Sequence, residues 1–259
     1  MRFKALMKNS LRYIFMVPMI FVVFISILDS INLKIVSPPY YFYFESSYYL
    51  TIIFWTVMCG LGFYSYNIIL KIANANSVKR NATFNTMILC GILMSILMTV
   101  VKIISIIIFI FRYSSSWATC AYEYMSCDFF MKLFTYIMPD NFPVSTNVLV
   151  LQMILSLITN FLAFFFCYIF GLSFSALLNC FTNYGKMIVG GSYLIIIVLF
   201  IQLVNNDKIE NQILELEYSQ HQFLIATLIL IGISLSIIIC TILTYIGLKK
   251  APLKISKGA

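Results

Sequence analysis

The sequence is poor in charged residues, and above all in acids. Only 10% of its 259 residues are Asp, Glu, Lys or Arg, whereas about a quarter are charged in an ordinary soluble domain. Hydrophobic residues make up 62% of the chain, and the mean hydropathy is +0.97. A soluble globule could not bury so much apolar surface. The scarcity of charge therefore excludes that class and indicates an integral membrane protein.

Side chains that commonly perform catalysis are also scarce. The chain has a single histidine, His221, and none of its nine acids falls within an apolar segment. No Gly-x-x-x-x-Gly-Lys-Ser/Thr phosphate-binding motif is present. These absences argue against a membrane metalloenzyme, an intramembrane serine protease, a proton-relay transporter and an ATPase. We therefore predict that the chain is not an enzyme and binds no cofactor of its own.

Six apolar segments approach the roughly 20 residues that a helix needs to cross about 30 Å of hydrocarbon. They are residues 13 to 28, 48 to 70, 84 to 111, 148 to 178, 187 to 204 and 223 to 248. The segments are continuously apolar rather than alternating, which favours helices over a β-barrel. The sequence thus predicts an all-α, polytopic membrane protein with about six transmembrane helices, forming a single domain over residues 1 to 259.

The basic residues determine the predicted orientation. If the N terminus is inside, 12 of the 17 Lys and Arg residues lie on the inner side and four lie outside. Lys and Arg favour the cytoplasmic side, so both termini are predicted to be cytoplasmic. The net charge of +8 follows from this topology and requires no nucleic-acid partner. The four cations before the first span predict either an amphipathic N-terminal helix at residues 2 to 12 or a simple membrane-lipid anchor.

A few polar residues interrupt the apolar segments. Lys102 is the one full charge within a predicted span. Its side chain either extends to the outer headgroups or lines a cavity or pathway inside the bundle, and both readings stay open. Asn67, Gln152 and Asn160 are predicted to form hydrogen bonds between helices.

The seven cysteines divide by environment. Four lie in predicted spans, where cysteine serves as a small packing residue, and a fifth faces the reducing cytoplasm. Cys120 and Cys127 share one outer loop and are a possible disulfide pair. On a continuous helix their seven-residue spacing would separate them by about 10.5 Å, too far for a bond, so pairing requires a turn between them.

Two local patterns resemble the permease subunit of ABC-2-type exporters. Between the second and third spans, Ser77-Val78-Lys79-Arg80 is similar to the small-x-basic stretch of that family. The end of the fourth span and the polar turn after it, residues 171 to 183, are similar to the family's glycine- and alanine-containing segment there. The family often carries a glutamate near the end of its second span, where this chain has Tyr64-Ser65-Tyr66-Asn67.

This resemblance implies a subunit that pairs with a second permease subunit, either itself or a relative. It also implies a separate cytoplasmic ATP-binding subunit that holds ATP-Mg and docks on a coupling helix near residues 71 to 83. The candidate coupling residues are Ile72, Ser77, Val78, Lys79 and Arg80.

The function implied by the resemblance is ATP-driven export across the plasma membrane of a bacterial cell. The expected substrate is amphipathic or hydrophobic, such as an antimicrobial or toxin peptide. The alternative function is a non-transporting membrane protein, either an immunity factor or the anchor of a sensor complex. The two differ in whether a partner ATPase depends on this chain.

Overall fold

The computed structural model describes residues 41 to 113, 146 to 181 and 222 to 250, together with Lys8, Gly185, Gly190 and Gly191. Within these residues the chain is helical and contains no strand. The four helices are α1 (Tyr41–Ala75), α2 (Arg80–Tyr113), α3 (Thr146–Cys180) and α4 (Gln222–Lys250).

All four helices are long and apolar enough to cross a membrane. The qualifying stretches are Phe54–Ala75, Arg80–Lys102, Leu157–Cys180 and Leu230–Lys250. They confirm the second, third, fourth and sixth predicted spans as helices. The predicted spans at 13 to 28 and 187 to 204, and the amphipathic segment at 2 to 12 apart from Lys8, lie outside the described residues.

Helix α3 occupies the centre of the four helices and packs against each of the others. It runs parallel to α1, because Phe54 meets Phe164 near one end of the pair and Asn67 meets Asn179 near the other. Helix α4 is also parallel to α3, whereas α2 follows α1 through a short turn and runs in the opposite direction. We call the end that holds residues 76 to 79 the turn end, and α1, α3 and α4 all finish there.

Two glycines bring the backbones of α1 and α3 into direct contact. A Cβ atom added to Gly62 would overlap the carbonyl oxygen of Tyr168, and one added to Gly171 would overlap the carbonyl oxygen of Cys59. Helices in lipid gain little from burying apolar side chains against each other, so close backbone packing at small residues stabilises their association instead. The α1–α3 seam is therefore the closest-packed interface among the four helices.

Tyr168 joins α3 to both α1 and α2. Its ring lies over Gly91 of α2, where an added Cβ would stand 2.6 Å from a ring carbon. The Tyr168 side chain is completely buried and its hydroxyl lies beside Ser65 of α1. Neither hydroxyl makes a hydrogen bond of good geometry with a described residue. The Tyr168 ring therefore occupies a space beside Gly91 that the side chain of any other residue would fill.

Helix α4 is the least buried of the four. Its exposed apolar side chains recur at helical spacing along one side: Leu228, Ile231, Leu235, Ile238, Ile239, Ile242 and Ile246. On a helix that crosses a membrane, such a surface is suited to lipid or to further apolar helices.

Candidate functional site

The segment predicted to couple to an ATPase is a four-residue turn between α1 and α2. Residues 71 to 75 continue α1 and residues 80 to 83 already belong to α2, so the predicted coupling helix near residues 71 to 83 is interrupted by the turn at 76 to 79. Ser77 adopts a left-handed conformation with φ of 50°. The Ser77 N–H donates to Asn74 O at 3.3 Å and the Val78 N–H donates to Ala73 O at 2.9 Å. These two bonds form a Schellman motif, which ends a helix abruptly.

The candidate coupling residues differ in how far their side chains are exposed. Ser77 and Lys79 are exposed, whereas Ile72 and Val78 are half-buried. The carbonyl of Lys79 accepts the first backbone bond of α2, from Thr83 N–H at 3.0 Å. Lys79 is the cation within this four-residue turn, and its side chain is exposed. It can therefore contact a partner without disturbing the helices.

Arg80 performs a structural role that the sequence pattern did not predict. Its guanidinium donates to the carbonyl oxygen of Leu248 and, at 2.6 Å, to that of Lys249. The last carbonyls of a helix have no partner within the helix and carry partial negative charge. Arg80, at the first position of α2, therefore caps the C-terminal end of α4 and ties the turn to it.

Aromatic contacts reinforce the link between α2 and α4. Phe84 and Tyr245 meet edge to face with ring centroids 5.2 Å apart. The ammonium of Lys249 lies 4.5 Å from the centre of the Tyr245 ring, within the range of a cation–π interaction. Lys249 and Lys250 are both exposed. The turn end thus presents a cluster of cations drawn from two distant parts of the chain.

A polar network joins α1 to α3 near the turn end. The Asn67 amide donates to Ser175 Oγ at 3.0 Å, and the Asn179 amide donates to Asn67 Oδ1 at 3.2 Å. The predicted interhelical role of Asn67 is therefore confirmed. Such a network fixes the rotation of one helix against its neighbour, because all of its members must stay in register.

Lys102 is buried inside the bundle, with 5% of its surface exposed. Its ammonium donates to Asn160 Oδ1 of α3 at 2.7 Å, and Asn160 is itself only 3% exposed. This bond confirms that Asn160 connects helices and shows that the Lys102 ammonium faces α3. Helix α2 also continues for eleven residues beyond Lys102 to Tyr113, about 16 Å of further helix. Both readings of Lys102, an extended side chain near the outer headgroups and a pathway-lining side chain, stay predictions.

The described cysteines are free thiols: Cys59, Cys90, Cys167, Cys180 and Cys240. Cys59 and Cys167 touch each other across the α1–α3 seam, and the Cys180 thiol donates to Gly247 O of α4 at 3.3 Å. Three of them, Cys90, Cys167 and Cys240, are buried, in keeping with the predicted packing role. Cys120 and Cys127 lie outside the described residues, as does His221, and the side chain of Gln152 is not described.

Within the described ranges no group of three His, Cys, Asp or Glu side chains could hold a metal ion. Among the described residues, the candidate functional features are the cationic turn end and the buried Lys102–Asn160 pair. No protein-family model, curated protein or solved structure matches the chain.

Proposed function

We propose that this chain is the transmembrane subunit of an ATP-driven exporter of the ABC-2 type, with the α1–α2 turn as the contact for a separate ATP-binding subunit. The observation that carries the proposal is the Arg80 bond to the end of α4. Because Arg80 belongs to α2 and follows the turn directly, a force applied to the turn reaches α1, α2 and α4 together. A membrane subunit moved by an external motor needs such a mechanically connected point.

The directions of the helices support six spans in the proposed subunit. Helix α3 ends at the turn end, and the parallel α4 begins at the opposite end. If both cross the bilayer, the chain between them must return across it once, which favours the predicted span at 187 to 204. The predicted first span would bring a cytoplasmic N terminus to the start of α1 in the same way.

Charge supports the turn end as the cytoplasmic face. Lys71, Lys79, Lys249 and Lys250 are exposed there, and basic residues are retained on the inner side of a membrane. An acidic groove on a partner would find Lys79 accessible at the tip of the turn. The same cations would hold the turn end at an anionic lipid surface, which is the competing reading of their role.

Co-purification tests the proposed function most directly. The chain is expressed with a candidate ATP-binding subunit from the same genome, and the complex is isolated through a tag on the membrane chain. We expect the two to copurify and the ATPase rate of the bound subunit to change when this chain is present. Failure to copurify, or an ATPase rate indifferent to this chain, would instead favour the immunity or sensor-anchor function.

A charge reversal at the turn separates coupling from lipid anchoring. Lys79→Glu should weaken binding of the ATP-binding subunit about thirtyfold or more, since removing one partner of a charged interfacial pair commonly costs about 2 to 5 kcal/mol. Lys250→Glu makes the same charge change at the same end of the bundle, on α4 rather than in the turn, and should leave that binding unchanged. Equal loss in both variants would assign Lys79 to lipid anchoring. Arg80 is unsuitable for this test because its loss would also uncap α4.

A further inference from the structure

We infer that the exposed face of α4 and the two lysines that end it bind an anionic phospholipid, with the acyl chains along the helix and the phosphate at the lysines. The inference is independent of the exporter function, because it concerns only a surface of the membrane helices. It rests on one juxtaposition: an apolar helix face that leads directly to Lys249 and Lys250, both of them exposed.

The two lysines continue the apolar face of α4. Ile242, Ile246 and Lys249 follow one another at intervals of four and three residues, which places them on one side of an α-helix. Lys250, four residues after Ile246, flanks the same side. From Leu235 to Ile246 every exposed side chain of α4 is apolar. The face is therefore apolar along its length and cationic at its end, in the same order as the acyl chains and phosphate of a lipid.

The length of this face fits one leaflet of a bilayer. Ile239 precedes Lys249 by ten residues, about 15 Å of helix, which is half of the roughly 30 Å of hydrocarbon in a bilayer. An acyl chain can therefore lie along the helix from Ile239 to Ile246 while the phosphate is level with the ammonium groups. Such a lipid binds to the outer surface of the helix and needs no cavity.

The charges at the end of α4 favour an external anion. Arg80 already donates to the carbonyls of Leu248 and Lys249, so these two carbonyls are capped without a lysine ammonium. The Lys249 ammonium lies over the Tyr245 ring, a contact that positions the cation and leaves its charge in place. Among the described helices the only acid is Glu45, at the far end of α1. These helices therefore bring two cations and no acid to the end of α4.

The lysines distinguish an anionic lipid from other occupants of the face. A second copy of this chain, or another of its apolar segments, would cover the isoleucines but would gain nothing from two ammonium groups. A zwitterionic lipid would cover the isoleucines as well, but it brings a cationic choline group beside its phosphate. Only an anionic headgroup adds a net attraction to the lysines, and this attraction selects the lipid.

A fluorescent reporter on the face tests the inference. Ile242→Trp places an indole about 10.5 Å from Lys249 along the helix, level with the middle of an acyl chain. The purified full chain is reconstituted with brominated phosphatidylglycerol or brominated phosphatidylcholine, which quench tryptophan, at the same low mole fraction. The signal of the unsubstituted chain, which has two tryptophans, is subtracted.

We expect phosphatidylglycerol to bind at the reporter about tenfold more tightly than phosphatidylcholine. Each cation near an anionic lipid adds roughly fivefold in affinity, and screening by solvent and salt reduces the product of the two. The preference should therefore also weaken as the salt concentration is raised.

Three double variants separate this site from general attraction to the membrane surface. Lys249→Gln with Lys250→Gln should abolish the preference, and Lys249→Arg with Lys250→Arg should keep it. Lys71→Gln with Lys79→Gln removes the same charge from exposed side chains at the same end of the bundle and should also keep it. Each variant is checked for a cooperative thermal transition, and Ile239→Trp, at a neighbouring exposed position, serves as a second reporter.

The outcomes decide between the possible occupants of the face. Equal quenching by the two lipids would overturn the inference, and so would an equal loss of preference in the two glutamine double variants. Absence of quenching at both reporters would overturn it by showing that a second copy or another part of the chain covers the face. A preference lost only with Lys249 and Lys250 supports the site, whether or not an ATP-binding subunit depends on this chain.

Discussion

At the scale of single residues, two of the three cations of α2, Arg80 and Lys102, show how differently a membrane bundle uses the same charge. The Arg80 guanidinium donates hydrogen bonds to the carbonyls at the end of α4. The Lys102 ammonium donates one to the side-chain amide oxygen of Asn160 in α3. In all of these bonds the acceptor is a neutral oxygen atom. Each cation therefore connects α2 to a neighbour by a charge-assisted hydrogen bond, which is about twice as strong as a bond between neutral groups.

Replacement of Arg80 by Gln should destabilise the chain. Two carbonyl oxygens at the end of α4 would lose a charged donor, a loss of about 1.5 to 3 kcal/mol for hydrogen bonds to charged groups. Thermal unfolding in detergent, followed by circular dichroism, should show a lower midpoint for Arg80→Gln. The neighbouring Lys79→Gln is the control, because Lys79 is exposed. Equal midpoints for the two variants would show that Arg80 does not cap α4.

At the scale of the helices, small residues decide which elements approach closely. Gly62 and Gly171 let α1 and α3 touch along their backbones. Gly60, two residues earlier on α1, has open space where a Cβ would stand. Two glycines of one helix thus differ only in what they face, which gives a matched experiment.

Gly62→Ala should lower stability, and Gly60→Ala should not. The methyl group on residue 62 would overlap the Tyr168 carbonyl, so the helices must separate, and overpacking of this kind typically costs about 1 to 3 kcal/mol. At residue 60 the only effect is the better helix propensity of Ala, worth up to about 1 kcal/mol. An equal change in the thermal unfolding midpoint of both variants would contradict the close packing of α1 against α3 at Gly62.

The α1–α2 turn makes its own prediction at Ser77. A residue with a side chain costs about 1 kcal/mol or more in the left-handed conformation that Ser77 adopts. Ser77→Gly should therefore raise the unfolding midpoint, since glycine is the preferred residue at this position of a Schellman motif. Ser77→Val should lower it, because β-branching adds strain. An unchanged midpoint in both variants would place Ser77 outside the left-handed region.

The positions of the described helices were predictable from the sequence, but the contacts between them were not. The apolar segments at 84 to 111 and 148 to 178 fall within four residues of the ends of α2 and α3, because continuous apolar sequence long enough to span lipid has few alternatives. Which helix faces contact each other could not be predicted, because the lipid-facing and helix-facing sides of these helices are equally apolar. No periodic pattern in the sequence indicates that Gly62 contacts Tyr168 or that Arg80 contacts Leu248.

The candidate site was predictable in part for the same reason. Lys102 stood out as the single charge in an apolar segment, but its snorkelling and interior positions use the same sequence. The pairing with Asn160, 58 residues away, is a contact that the sequence pattern did not indicate. Arg80 was selected for its charge, and its bond to α4 depends on a contact 168 residues distant.

At the scale of the whole molecule, the directions of the helices constrain the topology. Three described helices run one way and α2 runs the other, as expected for the second, third, fourth and sixth of six consecutive spans. Labelling with a membrane-impermeant thiol reagent tests this arrangement. On intact cells, a cysteine placed at Lys79 should stay unlabelled and one placed at Glu215 should react. A reactive cysteine at position 79 or an unreactive one at 215 would overturn the predicted orientation.

The brevity of the α1–α2 turn also bears on how the chain enters the bilayer during synthesis. Four residues cannot hold two emerging helices apart, so α1 and α2 should leave the insertion machinery as one helical hairpin, whose two helices satisfy their backbone hydrogen bonds before meeting lipid. Lys79 and Arg80 sit at its tip, where two cations resist translocation. The hairpin would then carry its own orientation signal, independent of the cations that precede the first predicted span.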